Sequence, residues 1–211
     1  GGETVAGGPY AIGQGTLSAG GNYIIDFTGA NFTITPAALN VTANALSKIY
    51  GAADPSLTFT QTGLVNGDTA SVFSGALARA AGETVAGGPY AIGQGTLSAG
   101  SNYTINFTGA DFTVTPATLN VTANARSKVY GASDPTLTYG FSGFVSGDTS
   151  ALFSGALARA AGETVAGGPY AIGQGTLSAG SNYAISFTGA DFTITPKALT
   201  ITAADAEKQE G

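Results

Sequence analysis

The sequence predicts an all-β protein, a tandem array of small elongated β domains (sandwich or β-grasp-like) with a period of about 80 residues. Three observations carry this. Gly2-Glu3-Thr4-Val5-Ala6-Gly7-Gly8-Pro9-Tyr10 returns at Gly82 and again at Gly162, with no insertion or deletion between the copies. Apolar and polar residues alternate in short runs rich in β-branched and aromatic side chains, the pattern of a half-buried strand. Gly, Pro, Asn and Asp bound these runs, as turns require. The period exceeds the roughly 20–45 residues of a solenoid unit and suits a small domain.

The elements of one repeat follow in order. Leu119-Asn120-Val121-Thr122-Ala123-Asn124 alternates cleanly, with Leu, Val and Ala on one face, and Leu57-Thr58-Phe59-Thr60 does the same. Asp68-Thr69-Ala70-Ser71-Val72-Phe73 admits one capped helical turn and no more. Tyr90-Ala91-Ile92-Gly93-Gln94-Gly95-Thr96-Leu97 is a further strand, weakened by two glycines. Tyr103-Thr104-Ile105-Asn106-Phe107 puts Tyr, Ile and Phe on one face. After Thr108-Gly109-Ala110-Asp111 the parity flips, so that Phe112 and Val114 become the apolar positions, which calls for a tight turn or a bulge. The expectation is five to six short strands per repeat, with turns at Gly51–Pro55, Asn66–Asp68, Ala86–Pro89 and Ala99–Asn102.

Placing the junctions after Pro36, Pro116 and Pro196 divides the chain into the back part of one repeat (1–36), two whole repeats (37–116 and 117–196), and the start of a divergent one (197–211). The chain starts and stops within this pattern and reads as a fragment. Segment 73–102 is identical to 153–182, which indicates recent duplication. Proline at each junction limits backbone freedom there and predicts a rod of beads.

Only 9% of residues are charged, yet 43% are hydrophobic, with 9 Tyr and 11 Phe. A disordered chain lacks the apolar side chains needed to offset ordering entropy; this one has them. The formal charge of −6, without a Lys/Arg cluster, argues against nucleic acid and against anionic membrane surfaces. No apolar stretch reaches the roughly 18–20 residues of a membrane helix. Cys, His, Met and Trp are absent, so there is no disulfide frame and no thiol or imidazole chemistry.

Lys48-Ile49-Tyr50-Gly51, with Asp54-Pro55 and Gly63-Leu64-Val65-Asn66-Gly67-Asp68, resembles the opening of MBG-type repeats. Lys128-Val129-Tyr130-Gly131, with Asp134-Pro135 and Gly147-Asp148, does so again, and Arg79 to Glu83, Tyr90-Ala91-Ile92 and Asn102-Tyr103 continue the pattern. Glu207-Lys208-Gln209-Glu210-Gly211 departs from it where Ser47 to Gly51 would stand. Such repeats occur in secreted bacterial surface proteins, filamentous-haemagglutinin-like adhesins among them. The resemblance implies an extracellular stalk or adhesion role and supplies no catalytic residues.

Each chemical constellation has a plainer structural reading beside it. Without His and Cys the common nucleophile–base pairs are missing, and identical active sites in every repeat would be unusual; the expectation is no enzyme and no catalytic, cofactor or metal site. Asp54, Asn66, Asp68 and Asp111 are oxygen ligands that calcium could use at a repeat junction, but turn hydrogen bonding explains them as well. Lys48 and Lys128 could form an isopeptide bond with Asn40 or Asn44 beside Glu83, or could simply be solvated. Arg79 with Glu83, and Arg159 with Glu163, stand four apart and suggest surface ion pairs. Tyr10, Tyr90, Tyr170 and Asn102-Tyr103 suit a sugar platform or, equally, a sheet core. The expected function is a structural spacer of a bacterial surface or secreted adhesin. A self-associating fibre or biofilm-matrix component and a weak repeat-wise carbohydrate- or protein-binding module stand as alternatives. The expected partners are neighbouring repeats, other copies of the chain or a host ligand.

Overall fold

The computed structural model describes residues 2–211. A hairpin of β1 (Tyr10–Ile12) and β2 (Ala30–Phe32) precedes two copies of one seven-stranded arrangement. The first copy runs β3 (Ala37–Ala43), β4 (Leu46–Ile49), β5 (Phe59–Thr62), β6 (Ala78–Arg79), β7 (Tyr90–Gly93), β8 (Tyr103–Thr108) and β9 (Ala110–Thr115). The second runs β10 (Ala117–Ala123), β11 (Arg126–Val129), β12 (Tyr139–Ser142), β13 (Ala158–Arg159), β14 (Tyr170–Gly173), β15 (Tyr183–Thr188) and β16 (Ala190–Thr195). The chain divides into two compact units, the second comprising Ile49–Gly51 and Pro116–Gly211.

Within each copy two small sheets form. In the first, β3 lies between β5 and β8, and β9 lies between β4 and β7, with β6 on the outer edge of β7. The pairing is mixed: β3 runs antiparallel to β5 and parallel to β8, with Ala37 opposite Tyr103 and Val41 opposite Phe107. The second copy repeats this, with β10 parallel to β15 and β11 parallel to β16. Thus the segments β3–β4 and β8–β9 each pass from one sheet to the other and run side by side.

The crossing explains the parity flip. On β8 the odd residues face inward; on β9 Phe112 and Val114 do, at 0% and 2% exposure. Gly109 stands at the switch, where an added Cβ would lie 2.8 Å from the Ile92 carbonyl oxygen. No side chain fits that approach, so glycine is required.

Two apolar cores result in the second unit. One gathers Leu119 and Val121 of β10 with Leu177, Ala179 and Tyr183; the other gathers Tyr170, Ile172, Phe192 and Ile194. Leu157 and Phe187 touch both. In the first unit Leu39, Val41, Leu97, Ala99 and Tyr103 form the equivalent of the former, with Phe59 and Phe73 edge-to-face at 5.0 Å.

Sequence and structure differ in three places. Seven strands form per repeat where five to six were expected, because β4 and the two-residue β6 carry too few alternating residues to signal themselves. The strand expected over Tyr90–Leu97 stops at Gly93, since Gly95 has a positive φ and the Leu97 N–H closes a turn onto Gln94. The expected helical turn is a 3-10 turn, Ala70–Val72, with Thr69 accepting from the Ser71 N–H at its N-cap.

Candidate functional site

The densest polar feature of each repeat is a network of two cations and two carboxylates. In the first repeat Lys48, at the end of β4, meets Asp54 in the following turn, Arg79 on β6 and Glu83 just beyond it. Lys48 Nζ donates to Asp54 Oδ1 at 2.6 Å and also to Glu83. Arg79 grips Asp54 through Nε (2.5 Å) and Nη2 (3.1 Å), and Nη2 also donates to Glu83. Its Nη1 donates to the carbonyls of Ala80 (2.9 Å) and Gly82 (2.7 Å). All five guanidinium donors are therefore used. Lys128, Asp134, Arg159 and Glu163 reproduce the arrangement in the second repeat.

Burial is uneven. The Lys48 and Arg79 side chains are 5% and 10% exposed, whereas Asp54 and Glu83 keep one side toward water at 39% and 62%. The guanidinium carbon of Arg79 sits 4.8 Å above the Phe112 ring and 5.6 Å from that of Tyr90. The network thus caps the core of the β9–β7 sheet: the Arg79 cation lies against aromatic rings, Lys48 is buried beside it, the anions keep one side toward water, and the four charges cancel. Such pairing is what lets a lysine and an arginine be buried.

Each group stabilises its neighbours' charged forms. Arg79, and next Lys48, hold the Asp54 carboxyl down at about 2. Asp134 is held at about 2 by Arg159 and Lys128. Lys48 and Arg79 likewise depress Glu83, and hydrogen bonds from Lys48 to Asp54 and Glu83 raise the lysine. The consequence is chemical. A nucleophilic lysine must shed its proton and a general acid must hold one; here every member is driven the opposite way. The arrangement can clamp a strand, a turn and a loop together.

A second recurrent device lies beside it. The Tyr90 hydroxyl donates to the Thr84 carbonyl at 2.7 Å and accepts from the Thr84 N–H at 3.0 Å, which pins the loop after β6. Gly82 makes room: its φ is +143°, and a Cβ there would fall 1.9 Å from a Tyr90 ring carbon. At the other sheet the Tyr103 hydroxyl donates to Asp68 (2.6 Å) and accepts from the Val65 N–H (3.1 Å). That turn places Asn66 at φ 58° and Gly67 at φ 78°, and its Asp68 N–H returns to the Val65 carbonyl at 3.0 Å. By its contacts Tyr50 belongs to the second unit, where its hydroxyl bonds Asp148 at 3.0 Å.

These placements redistribute the sequence-derived candidates. The four oxygen-bearing residues considered for calcium do not converge: Asp54 is held by Arg79 and Lys48, Asn66 and Asp68 form the tight turn, and Asp111 stands opposite Ala91 in the sheet. Among the described residues no group of three or more acidic side chains gathers as a metal site would require. For an isopeptide bond, neither asparagine reaches Lys48. Asn40 Oδ1 accepts from Asn106, and Asn44 Nδ2 donates to Thr58 Oγ1. Tyr90, Tyr103 and Tyr170 are buried in the core rather than presented as a platform. Arg79 and Glu83 do pair, but as half of a network whose lysine and aspartate the spacing did not connect. A signal for it existed: of seven basic residues, four recur at fixed positions with Asp and Glu at fixed offsets.

No curated protein and no solved structure matched the chain. A family profile described as MBG domain (YGX type) matches residues 39–113 and 119–193, well over half the sequence, and each match contains one complete four-charge network. The chain therefore belongs to the MBG domain family of the YGX type, carried here in two tandem copies.

Proposed function

We propose that these repeats are a non-catalytic spacer in the extracellular part of a bacterial surface or secreted adhesin. The observation that carries this reading is the internal use of chemistry. In both copies the same Lys, Arg, Asp and Glu neutralise one another, and the same tyrosine hydroxyls fasten loops. Recurrence of these devices at matching positions of each repeat retains one shape, copy after copy. The absence of cysteine fits a design in which charge networks and paired sheets replace disulfides as staples. Among the described residues no helix is long and apolar enough to cross a membrane.

The competing reading, a weak binding module in each repeat, makes a different prediction. Arrays of two, four and six repeats would be passed over immobilised glycans and extracellular-matrix proteins. A spacer gives no retention at any copy number. Retention that climbs steeply with copy number, as avidity demands, would replace the spacer with a multivalent binder.

A further inference from the structure

One basic residue of the second repeat stands outside its charge network. Arg126 opens β11, half-buried, at the position that Leu46 holds at the start of β4. Its Nη2 donates to Thr138 Oγ1 at 2.7 Å, and among the described residues it makes no other hydrogen bond. Its Nε is buried and has no acceptor. Among the described residues no carboxylate pairs with the guanidinium. Asp134 and Glu163 are held by Lys128 and Arg159, and Asp191 on the adjacent β16 forms no ion pair with it. A charge withdrawn from water is costly unless it is paired, and a buried donor without an acceptor is rare enough to call for an explanation, an absent ligand or ion among them. The fold itself does not ask for a cation here, since leucine serves at the same place in the first repeat.

A cavity of about 360 Å³ adjoins this side chain, lined by Ala125, Arg126, Ser127, Pro135 and Thr193. Ser127 and Thr193 are register partners on β11 and β16 with exposed side chains, so two hydroxyls stand side by side next to the guanidinium. The first repeat carries Ala45, Ser47, Pro55 and Thr113 at the corresponding positions, so the arginine is the one lining residue that differs. We infer that this cavity of the second repeat binds the carboxylate of a small hydroxy acid of the sugar-acid class. The guanidinium fork matches a planar carboxylate and gains from it the counter-charge it lacks. The Ser127 and Thr193 hydroxyls both donate and accept, which suits the hydroxyl groups of a sugar. The volume is at the small end of ligand cavities and fits one saccharide unit. Ala125 and Pro135 give little apolar surface, which disfavours a peptide side chain. One repeat of the two carries the arginine, so the site is an addition to the spacer. Arrays built from the first repeat, with Leu46, keep the retention test of the spacer reading separate from it.

Amide NMR of the full chain tests it, with glucuronate titrated against glucose at constant ionic strength. Glucuronate should give saturable shifts at residues 125–127 and 193, with a Kd of about millimolar order, and glucose should give none. Arg126→Leu installs the residue that the first repeat already accommodates, so the chain should fold as before and bind at least about tenfold more weakly, as the loss of a charged hydrogen-bond donor requires. Leu46→Arg should confer the same response on residues 45–47 and 113. An absence of saturable shifts would overturn the proposal, and so would shifts that persist undiminished in Arg126→Leu. Glucose binding as well as glucuronate would remove the carboxylate from the account. Tighter binding of sulfate, or of the dipeptide Gly-Gly, would reveal a general oxyanion site or a peptide site and overturn the sugar-acid assignment.

Discussion

At Tyr90 a single hydroxyl holds both polar groups of the Thr84 backbone. Tyr90→Phe keeps the ring and strands those groups, so it should cost about 1–3 kcal/mol in urea denaturation, the range for a buried donor left unsatisfied. Asn66 and Ser146 offer a complementary test. Both adopt a left-handed φ, of 58° and 57°, in otherwise equivalent turns. Asparagine tolerates that conformation better than serine. Ser146→Asn should therefore stabilise the second repeat by a few tenths up to about 1 kcal/mol, read as a shift in denaturant midpoint at constant slope. The charge network has a signature in pH. Asp54 and Asp134 are held at about 2 against an ordinary 3.8, and Glu83 and Glu163 are also depressed. Depressed carboxyls stabilise the fold above their unfolded pKa. That contribution is lost as pH falls through the folded value. Thermal midpoints should be flat near neutrality and drop between about pH 4 and pH 2, and Arg79→Met with Arg159→Met should flatten the drop while lowering the neutral midpoint.

Strand formation here is a property of pairs. Leu119 to Ala123 was legible as a strand because alternation is strong and its inward residues are fully buried. Alternation reports a buried face and is silent about which strand is its hydrogen-bonded neighbour. The parallel β3–β8 link bridges most of a repeat and no local pattern marks it. The parity flip at Gly109 was visible, whereas its cause, a strand changing sheets, was not. The four-charge network was half legible: Arg79 and Glu83 stand four apart, but Lys48 and Asp54 arrive from a different strand and turn. Amide hydrogen exchange separates pattern from pairing. Residues 38–42 and 118–122 should be protected to near the global stability, while the exposed turn residues 66–67 and 146–147 exchange far faster, a spread that local opening energies allow.

The molecule as a whole repeats one solution. Its two units carry the same sheets, the same clamp and the same tyrosine fasteners at one fixed interval, within a family recognised over both copies. The Phe59–Phe73 contact of the first repeat becomes a larger group in the second, where Tyr139, Phe141, Phe144 and Phe153 meet edge-on. Substitutions between the repeats concentrate in 56–72 against 136–152, and they changed aromatic packing while leaving the clamp residues untouched. That is the pattern expected where shape is retained and surface detail is free. If the repeats are spacers, length is their output, and copy number must set it. The direct measurement is small-angle scattering at low concentration, comparing the full chain with one carrying an extra copy of segment 117–196 inserted after Pro196. The account predicts an unchanged cross-section and a longest dimension that grows by a fixed step with each added copy. A radius that grows only as the cube root of mass, with the copies collapsed into one globule, would contradict it.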